Sequence, residues 1–373
     1  MASQGKHITV VVSNDLQHDQ RVAKVCDTLL EMGFRITLVG RLLPESTSFE
    51  RPYETRRFRL PFRSGALFYA ALNIRLFFYL LVKRTDIILA NDLDTLLPAF
   101  LIARMKRKEL VYDSHEYFTE AEGLTNRPFP KKIWLAIEGL LFPRLKHVMT
   151  VNETIADIYR ALYRVPVHVV RNVPVLRNNS VNVTREELGL PADKRIILLQ
   201  GAYIDPDRGG LELAHSMEFI EDALLLIIGS GRDLENIKQT VAERNLQNRV
   251  RFISKLPFTD LQRYTAIADV GVSLDKSLHL NYAYSLPNKL FDYIHAGLPV
   301  LVSDLPELRR IVDAYKIGMV VNRVEAHAIA SALQEMFASG QLEMWRQNAR
   351  NAATELNWQL EQEVIRSIYE PLR

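Results

Sequence analysis

The chain has 373 residues, 48% hydrophobic and 24% charged, with a formal net charge of +3. That length exceeds one comfortable core and suits two domains, and the composition excludes disordered, collagenous and disulfide-rich classes. Charge is uneven: residues 1–172 hold 25 Lys and Arg against 18 Asp and Glu, or +7, and the remainder hold 22 against 26, or −4, so the two halves meet different partners.

Short apolar runs alternate with amphipathic segments from end to end, the pattern of a doubly wound parallel α/β sheet in each half. The first half predicts strands near 8–13, 35–39, 55–60, 86–90, 109–113, 147–151 and 168–170. The second predicts them near 195–200, 223–228, 249–253, 270–273, 300–303 and 318–321. The run after Lys6 is too short for a signal peptide, so no export is expected. A single cysteine, Cys26, excludes an internal disulfide, fits a reducing cytosol and reads as a core residue of the first helix. The apolar stretches 64–74 and 76–82 stop at Arg75 and fall short of the ~18 residues of a spanning helix, so no membrane crossing is expected. Residues 171–184 are rich in Asn, contain Pro174 and read as a connector. The resulting division is 1–171, a connector over 172–184, a second domain over 185–355 and a last helix over 356–373.

The polar motifs fall at predicted strand ends. After the first strand, Ser13-Asn-Asp-Leu-Gln-His-Asp19-Gln-Arg21 contains no glycine, which disfavours an NAD-binding first strand. Residues 51–84 hold eight Arg or Lys and one acid, interleaved with Phe and Tyr. Such a helix lies readily on anionic lipid, and the same pattern fits a core helix with a solvated basic face. No recognition module accompanies the charge, so nucleic acid is not expected. Asn91-Asp92-Leu-Asp94 is an Asp-x-Asp, but Leu96 and Leu97 lead into a helix that Asp94 could cap, and no further hard ligands lie nearby, so no metal is expected. Val111-Tyr-Asp-Ser-His115-Glu116 closes another strand, with Asp113 open to a capping role.

In the second half, Gln200-Gly201-Ala-Tyr-Ile-Asp-Pro-Asp-Arg208-Gly209-Gly210 sets a guanidinium beside bare N–H groups, and Gly201 lets backbone approach a ligand closely. Ile228-Gly229-Ser-Gly231-Arg lacks the third glycine of a dinucleotide fingerprint, whose place falls on Leu234. The most informative stretch is Tyr284-Ser-Leu-Pro287-Asn288-Lys289-Leu-Phe-Asp292, which runs through Gly297 and Pro299 into the strand at Val300. Pro287 in a first turn would leave the N–H groups of Asn288, Lys289 and Leu290 free for an anion. Lys289 and Asp292 lie on one helix face, a cation for phosphate beside a carboxylate for a diol. His-Glu-x-x-His, Gly-x-Ser-x-Gly and P-loop motifs are absent from the sequence.

Together these motifs resemble the GT-B-fold, family-four retaining glycosyltransferases of bacterial glycan-assembly type. The likeness runs from Asn14 to the final helix and includes Asn172-Val-Pro174 and Pro306-Glu-Leu. It implies an α/β fold of two facing Rossmann-like domains, with the last helix crossing back onto the first. The donor, a nucleotide diphosphate-sugar, would meet Gly201, Arg208, Gly209, Gly229, Gly231, Tyr284, Pro287, Asn288, Lys289 and Asp292. Asp292 would hold the ribose hydroxyls, with Arg208 and Lys289 on the diphosphate. His115 would contact the donor sugar and complete the catalytic set with Arg208 and Lys289. Asp19, Arg21, Asp92 and Glu116 would lie on the side of a glycan or lipid-linked acceptor. The implied reaction is a hexosyl transfer with retention, without cofactor or metal, in the cytoplasm or peripherally on the inner face of the cell membrane.

Two positions depart from the family pattern. Tyr284 stands where members carry the first of two acids eight residues apart, and Ala202 where many carry a second basic residue, which shifts weight to Lys289. A nucleotide-sugar epimerase or hydrolase of the same fold, and a membrane-surface scaffold without catalysis, are the alternatives.

Overall fold

The computed structural model describes residues 5–17, 19–177 and 182–373. The chain divides into two units, Met1–Asn172 with Leu360–Arg373, and Val173–Gln359. Residues 178–181 of the expected connector, and His18 after the first strand, lie outside the described residues.

The first unit is built on seven parallel strands: β1 His7–Val11, β2 Arg35–Arg41, β3 Glu54–Phe58, β4 Ile87–Asn91, β5 Glu109–Ser114, β6 His147–Thr150 and β7 His168–Val169. Their order is β3-β2-β1-β4-β5-β6-β7. Every residue of β4 is buried, as a central strand covered by helices on both faces requires. The helices are α1 Gln20–Glu31, α2 Gly65–Val82, α3 Leu93–Lys106, α4 Glu122–Thr125, α5 Pro128–Leu141 and α6 Glu153–Tyr163. Crossovers are right-handed. The connections through α2, α3, α5 and α6 all step towards β7, so these helices share one face of the sheet, and α1, stepping the other way, covers the opposite face.

The two apolar stretches on either side of Arg75 are one helix, α2, 18 residues long. Arg75 is exposed and does not interrupt it. By length and hydropathy α2 is long and apolar enough to cross a membrane, which corrects the expectation from the separate runs. It is nonetheless docked on the fold: Phe68, Leu72, Leu76 and Leu80 are buried at helical spacing. The Asn73 amide donates to the Asp94 carbonyl of α3 at 2.8 Å.

The second unit has six parallel strands: β8 Arg195–Gly201, β9 Ala223–Gly229, β10 Val250–Ser254, β11 Val270–Ser273, β12 Val300–Ser303 and β13 Gly318–Val321, ordered β10-β9-β8-β11-β12-β13. Among the described residues, all thirteen strands fall within two residues of their expected bounds. Its helices are α7 Gly210–Ser216, α8 Leu234–Glu243, α9 Phe258–Ile267, α10 Leu280–Ala283, α11 Asn288–His295, α12 Pro306–Tyr315, α13 Ala326–Ala338 and α14 Leu342–Glu355. A last helix, α15, spans Trp358–Tyr369. From Leu360 its residues belong to the first unit. There the Glu361 carboxylate accepts from the Arg171 backbone at 2.8 Å and from its guanidinium at 2.9 Å.

One contact fixes how α11 lies on its sheet. Tyr293 is fully buried, and a Cβ on Gly271 of β11 would come within 2.6 Å of its ring, so only glycine admits the tyrosine there. The Tyr293 hydroxyl donates to the Leu198 carbonyl and accepts from the Gln200 N–H, each at 3.2 Å. That pins the helix to β8 and β11 close to their carboxyl ends.

Buried Glu138 of α5 accepts from the Tyr163 hydroxyl of α6 at 2.5 Å, and its second carboxyl oxygen has no partner. Burial therefore pushes its carboxyl up to about 7, against the opposing tyrosine bond. The folded state keeps a proton that the unfolded chain releases near 4.5, so stability falls as pH rises between those values. Glu138→Gln should abolish this slope and stabilise the first unit at pH 8 by ~1–3 kcal/mol. Urea unfolding at pH 5 and pH 8 measures it, and an unchanged pH dependence in the variant would contradict the assignment.

Candidate active site

In an open parallel sheet the ligand crevice lies outside the carboxyl ends of the strands where the order reverses. In the second unit that point lies between β8 and β11. Just past β11 stands Asp275, fully buried, a residue that the sequence motifs did not single out. Its Oδ1 accepts from Arg208 at 2.6 Å, its Oδ2 from the Ser273 hydroxyl at 2.9 Å, and its carbonyl from the Ser303 hydroxyl at the end of β12 at 2.6 Å. Burial opposes its charge, yet Lys289 and Arg208 hold its carboxyl below the usual range. Burial likewise lowers the Lys289 ammonium while Asp275 supports it. The Arg208 guanidinium lies 4.4 Å from the centroid of the Tyr282 ring, a cation–π contact. Two cations thus share one buried counter-charge.

Pro287 is the residue before α11 rather than part of its first turn, and its carbonyl accepts from the Leu290 N–H at 3.1 Å. This corrects the expectation that the Leu290 N–H is free. Asn288 opens the helix and is exposed. Asp292, one turn on, accepts from the Gln200 side-chain amide at 3.1 Å, and that amide is held in turn by Thr265 at 3.0 Å. Tyr284 closes α10, half-buried, with its N–H on the Leu280 carbonyl.

The glycines divide into two kinds. A Cβ on Gly201 would meet nothing nearer than the Ile204 side chain at 3.4 Å, so there is room beside it. A Cβ on Gly229 would fall 1.8 Å from the Gly201 carbonyl, on Gly231 2.1 Å from the Ile204 carbonyl, and on Gly209 2.3 Å from the Leu274 carbonyl. Loop-on-loop packing therefore by itself requires glycine at 229, 231 and 209. The Ile204 N–H donates to the Ser230 carbonyl at 2.7 Å and the Ser230 hydroxyl to the Ala202 carbonyl at 2.7 Å. The two loops are zipped together.

In the first unit the order reverses between β1 and β4. Asp92 follows β4 with φ at 58°, a conformation uncommon for a residue with a side chain. It precedes α3 without a capping side-chain bond, and Asp94 sits inside the first turn, buried, with Oδ1 unpartnered. This corrects the capping role expected of Asp94. Asp92 Oδ1 accepts from the His115 backbone N–H at 2.8 Å, and its Oδ2 lies 3.6 Å from His115 Nδ1. His115 Nε2 is 3.1 Å from Asn91 Oδ1 and 3.3 Å from Asp113 Oδ2. Burial and the charges of Glu116 and Asp94 raise the Asp92 carboxyl to about 7 despite His115. Burial opposes protonation of His115, but Asp92 and Asp113 outweigh it and raise the imidazole to about 9. Glu116 follows on the same turn, half-buried, with its carbonyl accepting from Ser114.

Arg21 does not face an open site. It is buried, reaches both Asp113 oxygens at 2.7 and 3.0 Å, and also donates to the Val170 carbonyl. A buried guanidinium must spend its donors internally, and Arg21 neutralises Asp113. Asp19 caps α1 through the Val22 N–H at 3.0 Å. Asn14 donates to its other oxygen at 2.6 Å. Asp275 and Gln200 carried a usable signal, a polar side chain at the end of an apolar run. What showed their importance was the pairing across the sheet.

Residues 19–173 match the family model described as Glycosyltransferase Family 4, and residues 182–352 that described as Glycosyl transferases group 1. A phosphatidyl-myo-inositol mannosyltransferase of Mycobacterium leprae is 25% identical over 197 residues, 52% of this chain. The match spans 50% of that relative's own length. Among solved structures, sucrose-phosphate synthase from Thermosynechococcus elongatus superposes with a TM-score of 0.79 at 18% identity, covering 98% of this chain and 99% of that one. Anabaena HepE in complex with UDP-glucose gives 0.74 at 12%, covering 98% and 100%. At these identities the structural likeness speaks for the fold.

His115 should carry its proton through neutral pH. Its contribution to stability is complete below 6.5, the ordinary histidine value, and is lost as pH rises through about 9. Titration of the imidazole nitrogens by NMR should show a midpoint well above 7, and one at or below 6.5 would contradict the pairing with Asp92 and Asp113.

Proposed function

The chain belongs to the family-four glycosyltransferases of the GT-B fold, and on that premise we propose that its second unit binds a nucleotide diphosphate-sugar whose sugar passes to a glycan or lipid-linked hydroxyl. The observation that carries this reading is the 2.6 Å pairing of Arg208 with buried Asp275 beside the start of α11, whose second residue is Lys289. A diphosphate is the ligand that a held guanidinium, a neighbouring lysine and a helix N-terminus suit. Asp292, which accepts from the Gln200 amide, is assigned to the ribose diol. The UDP-glucose complex of the HepE fold relative favours a donor of this class.

In this proposal the chain's residues help the leaving group depart. Negative charge grows on the diphosphate as the glycosidic bond breaks; Arg208, already held by Asp275 and Tyr282, stabilises it without having to reorganise, and Lys289 adds a second positive charge at the start of α11. That electrostatic work is assigned to side chains, with no metal. Retention, with the acceptor attacking the face that the diphosphate leaves, is part of the same proposal. His115 is assigned to the donor sugar, and Asp92 and Glu116 to the acceptor. At Tyr284 a phenol can donate to a sugar hydroxyl but brings no negative charge to an oxocarbenium-like centre.

A panel of nucleotide diphosphates and their sugars in thermal-shift assays tests the donor, since saturating ligand must raise the melting temperature. Asp292→Ala should weaken nucleotide binding roughly ten- to a hundredfold, the worth of hydrogen bonds to a charged acceptor, and leave the unliganded melting temperature within a degree or two. Unchanged affinity would remove Asp292 from the ribose. Arg208→Lys keeps a cation on Asp275 but loses the fork; kcat should fall on the order of a hundredfold with KM changed only a few-fold. A loss confined to KM would contradict a transition-state role. Donor incubated without acceptor should remain intact, whereas epimerised or free sugar would favour the epimerase or hydrolase reading.

A further inference from the structure

We propose that the apolar face of α2 and α3, continued by α5, docks this protein on the surface of an anionic lipid membrane. The inference goes beyond the donor site and does not depend on it.

α2 buries one side and leaves the opposite side apolar in solvent. Leu67, Ile74 and Phe78 follow one another at helical spacing and are 61%, 60% and 60% exposed. A globular helix ordinarily turns a polar face to water. Leu101 and Met105 of α3, one turn apart, are 42% and 60% exposed. The two stripes adjoin, because Ile74 and Phe78 share a shallow groove with Leu97 and Leu101. α5 lies on the same face of the sheet, with Trp134 edge-on to Tyr69 of α2 at 5.2 Å, and carries exposed apolar residues of its own, Phe129 at 73% and Ile133 at 45%. Contiguous exposed apolar surface of this kind marks an interaction site.

Charge decides the occupant. Arg75, Arg104 and Lys132 are exposed on these three helices, and Asp94 and Glu138, the acids of α2, α3 and α5, are both buried. The outward charge is therefore basic, as the headgroups of an anionic membrane require. A second copy of the chain fits badly, since a two-fold contact would set the same cations against themselves. Of the basic residues in 51–84, Arg57 contributes less than the sequence implies because it is paired with Asp15 at 3.0 Å, whereas Arg75, over the Phe58 ring at 5.2 Å, keeps its charge and is exposed. Insertion of α2 across the bilayer would strip Phe68, Leu72, Leu76 and Leu80 from the unit and break the Asn73 bond to α3. A helix so docked lies on the membrane.

The test is sedimentation of the full chain with vesicles of phosphatidylcholine, alone or mixed with phosphatidylglycerol, at low and high salt. The protein should pellet with the mixed vesicles at low salt and be released by high salt. Ile74→Glu with Phe78→Glu, and separately Arg75→Glu with Arg104→Glu, should each lower the bound fraction about tenfold. All four side chains are exposed; if the first pair disturbs folding, the charge-reversed pair decides. A wild-type chain left in the supernatant, or variants that bind as well as it does, overturns the proposal. So does a wild-type dimer that the first pair converts to monomer, because a second copy would then cover the face. No donor or turnover enters the measurement, so its failure leaves the transferase reading untouched.

Discussion

The candidate donor site depends on one buried carboxylate. Asp275 is fully removed from water, where a lone charge is costly, and it remains ionised because Arg208 and Lys289 bring positive charge to it and Ser273 donates a hydrogen bond. The dependence runs both ways: without Asp275, two cations would crowd the same strand ends with no counter-charge. Arg208, held in this way, is already oriented when an anion arrives, and preorganisation is what makes such a charge effective in a low-dielectric site. The surrounding structure serves that arrangement. Gly271 admits Tyr293, Tyr293 fixes α11 against β8 and β11, and α11 carries Lys289 and Asp292 to their places.

The first unit solves the same problem with different residues. Arg21 neutralises buried Asp113, which leaves His115 to share its charge between Asp113 and Asp92. The two carboxylates favour the charged imidazole of His115 against its burial, and burial raises the Asp92 carboxyl above the usual range against the pull of His115. In each unit the chemistry-bearing groups gather where the strand order reverses, because only there do neighbouring crossovers diverge and leave strand ends uncovered. The glycines of the second unit add a caution about motif reading. Gly-x-Gly after β9 looks like a ligand loop, and its glycines are demanded by the neighbouring 201–204 loop.

The family, the α/β class, the thirteen strands and the membership of Arg208, Lys289 and Asp292 in one unit were all legible in the amino-acid sequence. Hydrophobic periodicity is a local property, and in a parallel sheet buried on both faces each strand announces itself as an apolar run bounded by polar residues. Strand-end motifs are equally local, which is why Tyr284 to Asp292 and Val111 to Glu116 stood out. Tertiary structure decided what local pattern cannot hold: which acid meets which cation. Asp275 lies far in sequence from Arg208, and Arg21 from Asp113, so their pairing exists only once the sheets are assembled. The same is true of α2. Its sequence fits a core helix or a lipid-facing helix, since the pattern is common to both, and only the packing of Phe68, Leu72, Leu76 and Leu80 shows that α2 is one continuous helix and which of its apolar faces stays exposed.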